Sequence, residues 1–304
     1  QRDLNYSVLS KKVGSKLYKA LCSSVIYGPN ASGKTNAIGA MDAMRTIVLR
    51  GNIRESNVPD LASSILSLMP NIHSSSEDPV CFYIKFIEND FLIEYELKLK
   101  LGQCFDKEFK RSIGYERLSI NGFDVFVRED SHIDVAINDL VESFMTAQTR
   151  DNINSLNAVA NSNINPLDLF LANGFKSFYS NEIAEIVLGW FSRKLLVLYR
   201  IDNHDINLNS EYEKDVYYEE HIDNAAKAFG SHNTVGFRKD GDLARKTSFV
   251  NMPNGKRYLV DSEVFESLGT LKFMNLIMPV FTAVSEGGTL IVDEFDASIH
   301  PRAI

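Results

Sequence analysis

One glycine-rich segment, Gly28 to Thr35, constrains the fold of this chain more than any other part of its sequence. It reads GPNASGKT and fills the pattern G-x-x-x-x-G-K-[ST] without a mismatch. The glycines let the backbone wrap around a phosphate, the lysine can reach the β and γ oxygens, and the hydroxyl residue can hold Mg²⁺. The pattern therefore predicts a phosphate-binding loop and the binding of a nucleoside triphosphate.

The residues on either side give this loop a specific context. Val25-Ile26-Tyr27 closes a short apolar run that predicts a buried parallel strand, and Ile38, Met41, Met44 and Val48 follow the loop at helical spacing. Strand, glycine loop and helix in that order form the arrangement that such a loop requires. A plain glycine turn between two elements is the alternative, and the flanking residues disfavour it.

A second motif lies near the end of the sequence. Thr289 to Glu294 reads TLIVDE, an apolar run that ends in two acids, which is typical of a central strand that delivers carboxylates to the nucleotide edge of a sheet. We expect Asp293 to hold Mg²⁺ through its water shell and Glu294 to polarise the attacking water. An acid pair alone is more often a solvated strand end. The phosphate loop favours the catalytic interpretation, in which Lys34 and Asp293 meet at one metal-bound triphosphate.

A third segment, Ser267 to Thr270, precedes a helical series of apolar residues. Ser267 is placed to cap that helix, and a helix N-terminus with a hydroxyl and a glycine can bind an anion. An ordinary capped helix fits the residues equally well.

Composition limits the class of protein. The chain has 304 residues, of which 44% are hydrophobic, enough for a substantial core. A net charge of -8 and a pI near 5.3 argue against a surface built for nucleic acid, although a local basic groove stays possible. Three cysteines without metal-ligand spacing are typical of a reducing cytoplasm. No apolar run approaches the roughly 18 residues of a membrane span, and no export segment is present, so we expect a cytoplasmic protein without a membrane partner.

Between the motifs the periodicity predicts a series of shorter elements. Alternation and turn residues predict two antiparallel hairpins, the first across residues 80–100 around Glu88-Asn89-Asp90 and the second around Asn121-Gly122. Other expectations are helices at 133–148 and 181–193, a weakly ordered asparagine-rich stretch at 152–165, a strand at 195–199 and a turn at 253–255. No sustained heptad occurs between residues 50 and 265, so the sequence predicts no coiled-coil arm.

Taken together, GPNASGKT, ESLGT before a helix, and LIVDEFDASIHP resemble the ATP-binding heads of the ABC, SMC and RecF class. The nearest resemblance is to the bacterial AAA-type ATPases of abortive-infection and phage-defence systems. It covers most of the chain and is specific at residues 25–45 and 264–301. It implies an α/β fold, a P-loop NTPase of the ABC/SMC-head type with a mostly parallel central sheet, an antiparallel β lobe and a helical insertion.

The same resemblance divides the chain into four parts. These are an N-terminal part of the ATPase core with the Walker A loop (1–75), the antiparallel lobe (76–130), the helical insertion (131–230), and a signature helix with the Walker B strand (231–304). We expect further core residues beyond Ile304, among them a switch histidine.

In this class two heads enclose two ATP molecules, each bound by the phosphate loop of one subunit and the serine-glycine motif of the other. The resemblance therefore assigns Glu294 and Lys34 to catalysis, and Thr35 and Asp293 to Mg²⁺. It assigns ATP binding to Gly28, Pro29, Asn30, Ala31, Ser32, Gly33, Lys34, Thr35 and Asn36, and the contact in trans to Ser267, Gly269 and Thr270. It also implies a coupling loop at Asp296-Ala297-Ser298 beside His300, and a Mg²⁺-sensing glutamine for which Gln103 and Gln148 are candidates.

The function implied by the resemblance is a slow, ATP-driven switch. ATP joins two heads into a homodimer or a higher homo-oligomer, and hydrolysis separates them. The switch would control a nuclease or toxin effector, on a partner protein or a C-terminal domain, in response to a phage-encoded trigger.

Other functions stay open at this point. A DNA-repair or chromosome-maintenance head of the RecF/SMC type would clamp DNA, but the acidic pI and the missing arm disfavour it. A GTPase or small-molecule kinase is disfavoured because no N-K-x-D motif occurs, and a membrane transporter because the LSGGQ signature is absent.

Overall fold

The computed structural model describes residues 7–55, 68–71, 73, 75, 78–104, 106, 108–198, 206–207, 216–217, 220–228, 231, 233–240 and 243–295. The chain forms two compact units, Gln1–Ser192 and Arg193–Ile304. Both contain helices and antiparallel strands, so the chain is a mixed α/β protein with several sheets. The four sequence-based domain boundaries stay a prediction.

The first unit begins with a hairpin and the helix that follows the phosphate loop, and continues with a sheet and a group of short helices. Its strands are β1 (Val8–Val13), β2 (Lys16–Leu21), β3 (Val80–Glu88), β4 (Phe91–Lys100), β5 (Ser112–Ile120), β6 (Phe123–Glu129) and β7 (His132–Val135). Its helices are α1 (Lys34–Arg50), α2 (Asp139–Ser143), α3 (Ala147–Asp151), α4 (Ile153–Ser162), α5 (Lys176–Phe178) and α6 (Asn181–Gly189). Two π-helical segments, Leu171–Phe175 and Trp190–Lys194, precede α5 and follow α6.

Five of these strands form an antiparallel meander in the order β3-β4-β5-β6-β7. Both predicted hairpins are confirmed: β3 pairs with β4 and β5 with β6. Asn121 and Gly122 have φ values of 54° and 86°. Positive φ at both residues matches the right-handed twist of the paired strands, which is why this dipeptide predicted the turn correctly.

The core of the first unit is rich in aromatic side chains. Phe86 stacks on Trp190 with ring centroids 4.0 Å apart, and Phe175 stacks on Tyr179 at 5.7 Å. Helix α1 is joined to this core through hydrogen bonds, because Arg45 Nε donates to the carbonyl of Phe191 and Leu169 N–H donates to the carbonyl of Gly51. These hydrogen bonds hold the C-terminal part of α1 against the core of the first unit.

A buried polar network joins the sheet to residues 165–171. The fully buried carboxylate of Glu116 accepts hydrogen bonds from Tyr95 Oη at 2.8 Å and from the N–H groups of Phe170 at 2.6 Å and Leu171 at 2.9 Å. Arg128 Nη1 lies 3.9 Å from the same carboxylate and donates to the carbonyl of Asp168 at 2.6 Å. Burial of charged groups is costly unless they are paired and hydrogen-bonded, and this network meets both conditions.

The described residues of the second unit form two sheets and three helices. Its strands are β8 (Leu195–Leu198), β9 (Ile206–Asn207), β10 (Val216–Tyr217), β11 (Thr234–Asp240), β12 (Leu243–Asn251), β13 (Arg257–Asp261) and β14 (Thr289–Val292). Its helices are α7 (Glu220–Ala228), α8 (Ser262–Phe265) and α9 (Leu268–Glu286). Helices α7 and α9 and strand β11 share an apolar cluster made of Ile222, Ala226, Val235, Phe237, Phe273, Met274 and Ile277.

The predicted mostly parallel central sheet is not what the described residues form. Strands β10, β11, β12 and β13 are antiparallel, with β9 paired to β12, and the sheet of the first unit is also antiparallel. Parallel pairing among the described residues is confined to β8 and β14, which run in register from Thr289 opposite Leu195 to Val292 opposite Leu198. In β4, for example, the buried Tyr95, Leu97 and Leu99 alternate with the more exposed Glu94, Glu96 and Lys98, which is the pattern that antiparallel pairing suits.

Two local predictions were wrong. The helix predicted at 133–148 is interrupted, because His132–Val135 pairs with β6 as strand β7, and helix starts only at Asp139 after the Asn138 cap. The asparagine-rich stretch is not weakly ordered, since most of it forms α4. By contrast the helix predicted at 181–193 is confirmed as α6 and the following π-helical segment.

Helix α9 is long and apolar. Among the described residues it alone has the length and composition that could cross a membrane, and 39% of its most apolar window is buried. A core helix of a globular protein meets the same criteria, and Phe273, Met274 and Leu276 of α9 are buried in the second unit.

Candidate nucleotide-binding site

The phosphate loop lies in the first unit, immediately before α1. Gly28 to Gly33 are exposed, and Gly33 is the residue before the helix, with φ at 89°. No side chain caps α1, so the first N–H groups of the helix are not occupied by a capping residue. Unpaired N–H groups and the positive end of the helix dipole make a helix N-terminus suited to phosphate.

The glycines and the lysine of the loop have distinct structural roles. A Cβ on Gly28 would lie 2.5 Å from Ser32 Oγ and 3.3 Å from Ser32 Cβ, so a side chain at this position would displace Ser32 of the same loop. No atom lies within 4 Å of a Cβ added at Gly33, but the backbone there is left-handed, a conformation that glycine adopts without strain. Lys34 Nζ donates to the carbonyls of Gly28 at 2.7 Å and Pro29 at 2.8 Å. The ammonium group therefore contacts the backbone of the phosphate loop.

The strand predicted before the loop is absent. Val25, Ile26 and Tyr27 have no regular secondary structure, and their side chains are 68%, 66% and 88% exposed. An apolar run becomes a strand only where a neighbouring strand accepts its backbone hydrogen bonds. Within the described ranges, no strand pairs with these residues.

The acid pair lies in the second unit at the end of β14. Asp293 N–H donates to the carbonyl of Leu198 at 3.1 Å, which extends the parallel pairing by one residue. Glu294 is exposed and has a φ of 50°, and its N–H donates to Asp293 Oδ1 at 3.0 Å. The chain therefore turns sharply at Glu294, at the carboxyl end of the strand where α/β proteins place their ligands.

The third predicted segment is confirmed as a helix cap. Ser267 Oγ accepts a hydrogen bond from Thr270 N–H at 3.2 Å and lies 3.0 Å from Thr270 Oγ1. Ser267 is exposed, and Gly269 and Thr270 are half-buried in the first turn of α9. Whether this end of α9 touches a second nucleotide stays a prediction.

One residue near the acid pair was missed by the sequence interpretation. Lys272 lies in the second turn of α9, is 5% exposed, and donates from Nζ to the carbonyl of Glu294 at 3.3 Å. The sequence feature that could have drawn attention to Lys272 is that it is the only cation in α9, a helix described over its whole length.

The predicted site residues thus fall into two groups. Gly28 to Asn36 lie together in the first unit, and Ser267 to Thr270, Asp293 and Glu294 lie in the second. The candidate glutamines, Gln103 and Gln148, are in the first unit, and neither assignment is tested. Asp296-Ala297-Ser298 and His300 lie outside the described residues.

Comparison with known proteins identifies the family. A model of the family described as "AAA domain, putative AbiEii toxin, Type IV TA system" matches residues 23–304, which include the phosphate loop, the serine-glycine segment and the acid pair. The chain belongs to this AAA-domain family. No curated protein and no solved structure matches the chain significantly.

Membership supports the coarser sequence expectations. An AAA-type domain implies nucleotide-binding ATPase activity in general, and the family description points to a role in phage defence or toxin systems. The loop fits the phosphates of a nucleotide, because the first turn of α1 has no capping side chain and Lys34 supplies an ammonium. Membership in an ATPase family implies nucleotide binding, typically with Mg²⁺. Bound Mg²⁺ would neutralise charge on the phosphate oxygens.

Proposed function

We propose that the chain is an ATP-hydrolysing head of the ABC/SMC type that dimerises around ATP and acts as a switch in a bacterial anti-phage system. In this proposal the loop from Gly28 to Asn36 binds the triphosphate, Thr35 and Asp293 hold Mg²⁺, and Glu294 orients the attacking water. The enzyme converts ATP and water to ADP and phosphate, slowly, because its task is regulation.

The observation that carries the proposal is the loop before α1. Its glycines match their required roles, Lys34 lies over the loop carbonyls, and the first turn of α1 has no capping side chain. A plain turn between two elements needs none of these features. The acid pair at the end of β14 adds the second component that Mg-ATP chemistry requires.

A second group of side chains supports dimerisation through Ser267. Val264, Phe265 and Leu268 flank this serine and are 79%, 55% and 74% exposed. Exposed large apolar side chains that lie close together in the sequence are a common feature of protein interaction sites. In the proposed dimer this cluster is covered by a second copy of the chain when Ser267, Gly269 and Thr270 contact the ATP of that copy.

The wider role follows from the family. We infer a cytoplasmic homodimer or higher homo-oligomer whose nucleotide state controls a nuclease or toxin effector, and a phage-encoded trigger that changes this state. The controlled effector belongs to a partner protein or to a further domain. DNA is a possible partner that the net charge of -8 does not favour.

The decisive variant is Glu294→Gln in the full-length protein. It keeps the shape of the side chain but cannot accept a proton, so we expect ATP hydrolysis to fall by about 10²- to 10⁴-fold while ATP still binds. Without hydrolysis the nucleotide-bridged dimer should accumulate, and light scattering with Mg-ATP should report twice the monomer mass.

Two further variants make this test specific. Glu286→Gln makes the same chemical change at the exposed end of α9 and should leave hydrolysis unchanged. Ser267→Arg added to Glu294→Gln should keep ATP binding but prevent the dimer. A Glu294→Gln protein that stays monomeric with ATP would contradict the proposed dimer, and ATP-dependent DNA binding that weakens with salt would favour the DNA clamp instead.

A further inference from the structure

Lys272 has an unusual environment for a lysine. Lys272 is only 5% exposed within the second unit. It lies on a helix whose other residues are uncharged until Glu286. A buried ammonium is unfavourable unless hydrogen bonds replace its water shell. The donation from Nζ to the carbonyl of Glu294 at 3.3 Å supplies one such bond.

This bond acts on the peptide backbone of the proposed general base. Glu294 has a left-handed φ of 50°, which residues other than glycine adopt only when their surroundings hold them there. Its N–H is held by Asp293 Oδ1 and its carbonyl by Lys272 Nζ. Because both sides of the residue are fixed, the direction in which its side chain leaves the backbone is fixed as well.

The same helix also carries the predicted contact in trans. Ser267 caps α9, and Lys272 follows little more than one turn later. An α-helix is stiff over such a distance, so a displacement at the Ser267 end also moves Lys272. The hydrogen bond between Lys272 and Glu294 therefore joins the segment predicted to touch one ATP to Glu294, the residue predicted to act on the other ATP.

We propose that Lys272 is a positioning residue that holds Glu294 in its productive conformation from the helix that contacts the second nucleotide. The inference rests on the proposed function. Lys272 does not touch the reacting atoms in this account, and its effect passes through the Glu294 backbone. Hydrolysis in one head then depends on how α9 is engaged by the ATP of the other head.

The test compares Lys272→Met and Lys272→Arg with the wild-type full-length protein. Methionine keeps the apolar stem and removes the donor, so we expect kcat to fall by about 10- to 100-fold with the Kd for ATP unchanged, since small displacements of a catalytic group cost rates of this size. Arginine keeps a cationic donor and should recover most of the rate. Lys256→Met, which changes an exposed lysine between β12 and β13, should behave as wild type.

If Lys272 had only a structural role, its variants would show a different pattern of dimer formation and hydrolysis. On the Glu294→Gln background, Lys272→Met should still form the ATP-dependent dimer, because Ser267 and its cap are intact. Loss of the dimer together with hydrolysis, an unchanged kcat, or an arginine variant no better than methionine would each overturn the inference. If Lys272→Met does not fold, Lys272→Leu, which also lacks a donor, replaces it with the same expected fall in kcat.

The outcome for the wild type separates this inference from the proposed function. A wild-type protein that does not hydrolyse ATP contradicts the proposed function itself. A wild-type protein that hydrolyses ATP, with a Lys272→Met variant that does so equally fast, contradicts only the role of Lys272.

Discussion

The five-stranded sheet and the phosphate loop, both in the first unit, differ in what satisfies their polar groups. In the sheet, the buried carboxylate of Glu116 obtains its hydrogen bonds from Tyr95, Phe170 and Leu171 of the same chain. In the loop, Gly28 to Gly33 are exposed and the first turn of α1 has no capping side chain. The sheet is complete within the chain, whereas the loop offers donors suited to a ligand.

Because of this difference, we expect the sheet to determine the stability of the protein and the loop to determine its affinity for ATP. Substitutions inside the Glu116 network should unfold the protein without a specific effect on ATP, and substitutions in the loop should abolish ATP binding with little effect on stability. Measuring both quantities for each variant tests whether the two regions are independent.

The largest effect is expected for Lys34→Ala. Removal of the ammonium eliminates charge-assisted bonds to two phosphates, each worth about 1.5–3 kcal/mol, so affinity for ATP should fall by about 10²- to 10⁴-fold. The free energy of unfolding should change by less than about 0.5 kcal/mol, as for other exposed sites. Calorimetric titration with Mg-ATP and urea denaturation measure the two values.

Lys19→Ala is the matched control for that variant, because Lys19 is an exposed lysine on β2. It should bind ATP like the wild type. Equal ATP affinity of Lys34→Ala and Lys19→Ala would contradict the assignment of the loop.

Glu116→Ala should have the opposite signature. It leaves Arg128 buried without its carboxylate partner and removes the acceptor for three donors, which should cost about 3–5 kcal/mol of stability. The affinity of the remaining folded protein for ATP should be unchanged. Glu129→Ala, at an exposed acid on β6, should change stability by less than about 0.5 kcal/mol. A small loss in Glu116→Ala would show that the network is not important for stability.

The pH dependence of stability sharpens this prediction. Burial raises the pKa of Glu116 above 4.5, although the N–H groups of Leu171 and Phe170 partly oppose the shift. Because the folded state then binds the proton more tightly than the unfolded state, the proton-linked part of the Glu116 contribution is greatest at low pH and is lost as pH rises through its folded pKa. Urea midpoints measured above pH 4.5 should show this decline in the wild type, and Glu116→Gln should lack that component.

The smallest effect is expected for Gly122→Ala. Nothing lies within 4 Å of the added Cβ, so the cost comes only from the φ of 86°. A left-handed conformation costs an ordinary residue about 1–2 kcal/mol. Urea denaturation should show a loss of that size with unchanged ATP affinity, and an unchanged midpoint would mean that the turn adopts another conformation.

Sequence patterns predicted elements well where local and tertiary requirements agree. Alternation in β3 and β4 and the Asn121-Gly122 turn identified both hairpins, and the Ser267 cap identified the start of α9. They failed where distant residues decide the structure. Helix α4 is rich in asparagine, but Asn161 bonds both backbone groups of Ile133 and Asn157 accepts from Tyr179 Oη.

The candidate site shows the same division. The glycine pattern and the acid pair were visible in the sequence because each residue type has its own chemical role. Lys272 was not, because its importance depends on the Glu294 carbonyl, which lies 22 residues away in sequence. Val25 to Tyr27 had the composition of a strand, but strand formation depends on a partner that composition does not specify.

The central claim is that the phosphate loop and the acid pair bind the same Mg-ATP. A crystal structure of full-length Glu294→Gln with Mg-ATP tests it most directly. The account predicts one Mg²⁺ with Thr35 Oγ1 as a ligand and the carboxylate of Asp293 in its water shell, with Lys34 on the β and γ phosphates. A Mg-ATP bound by Lys34 and Thr35 with Asp293 remote from the metal would contradict it.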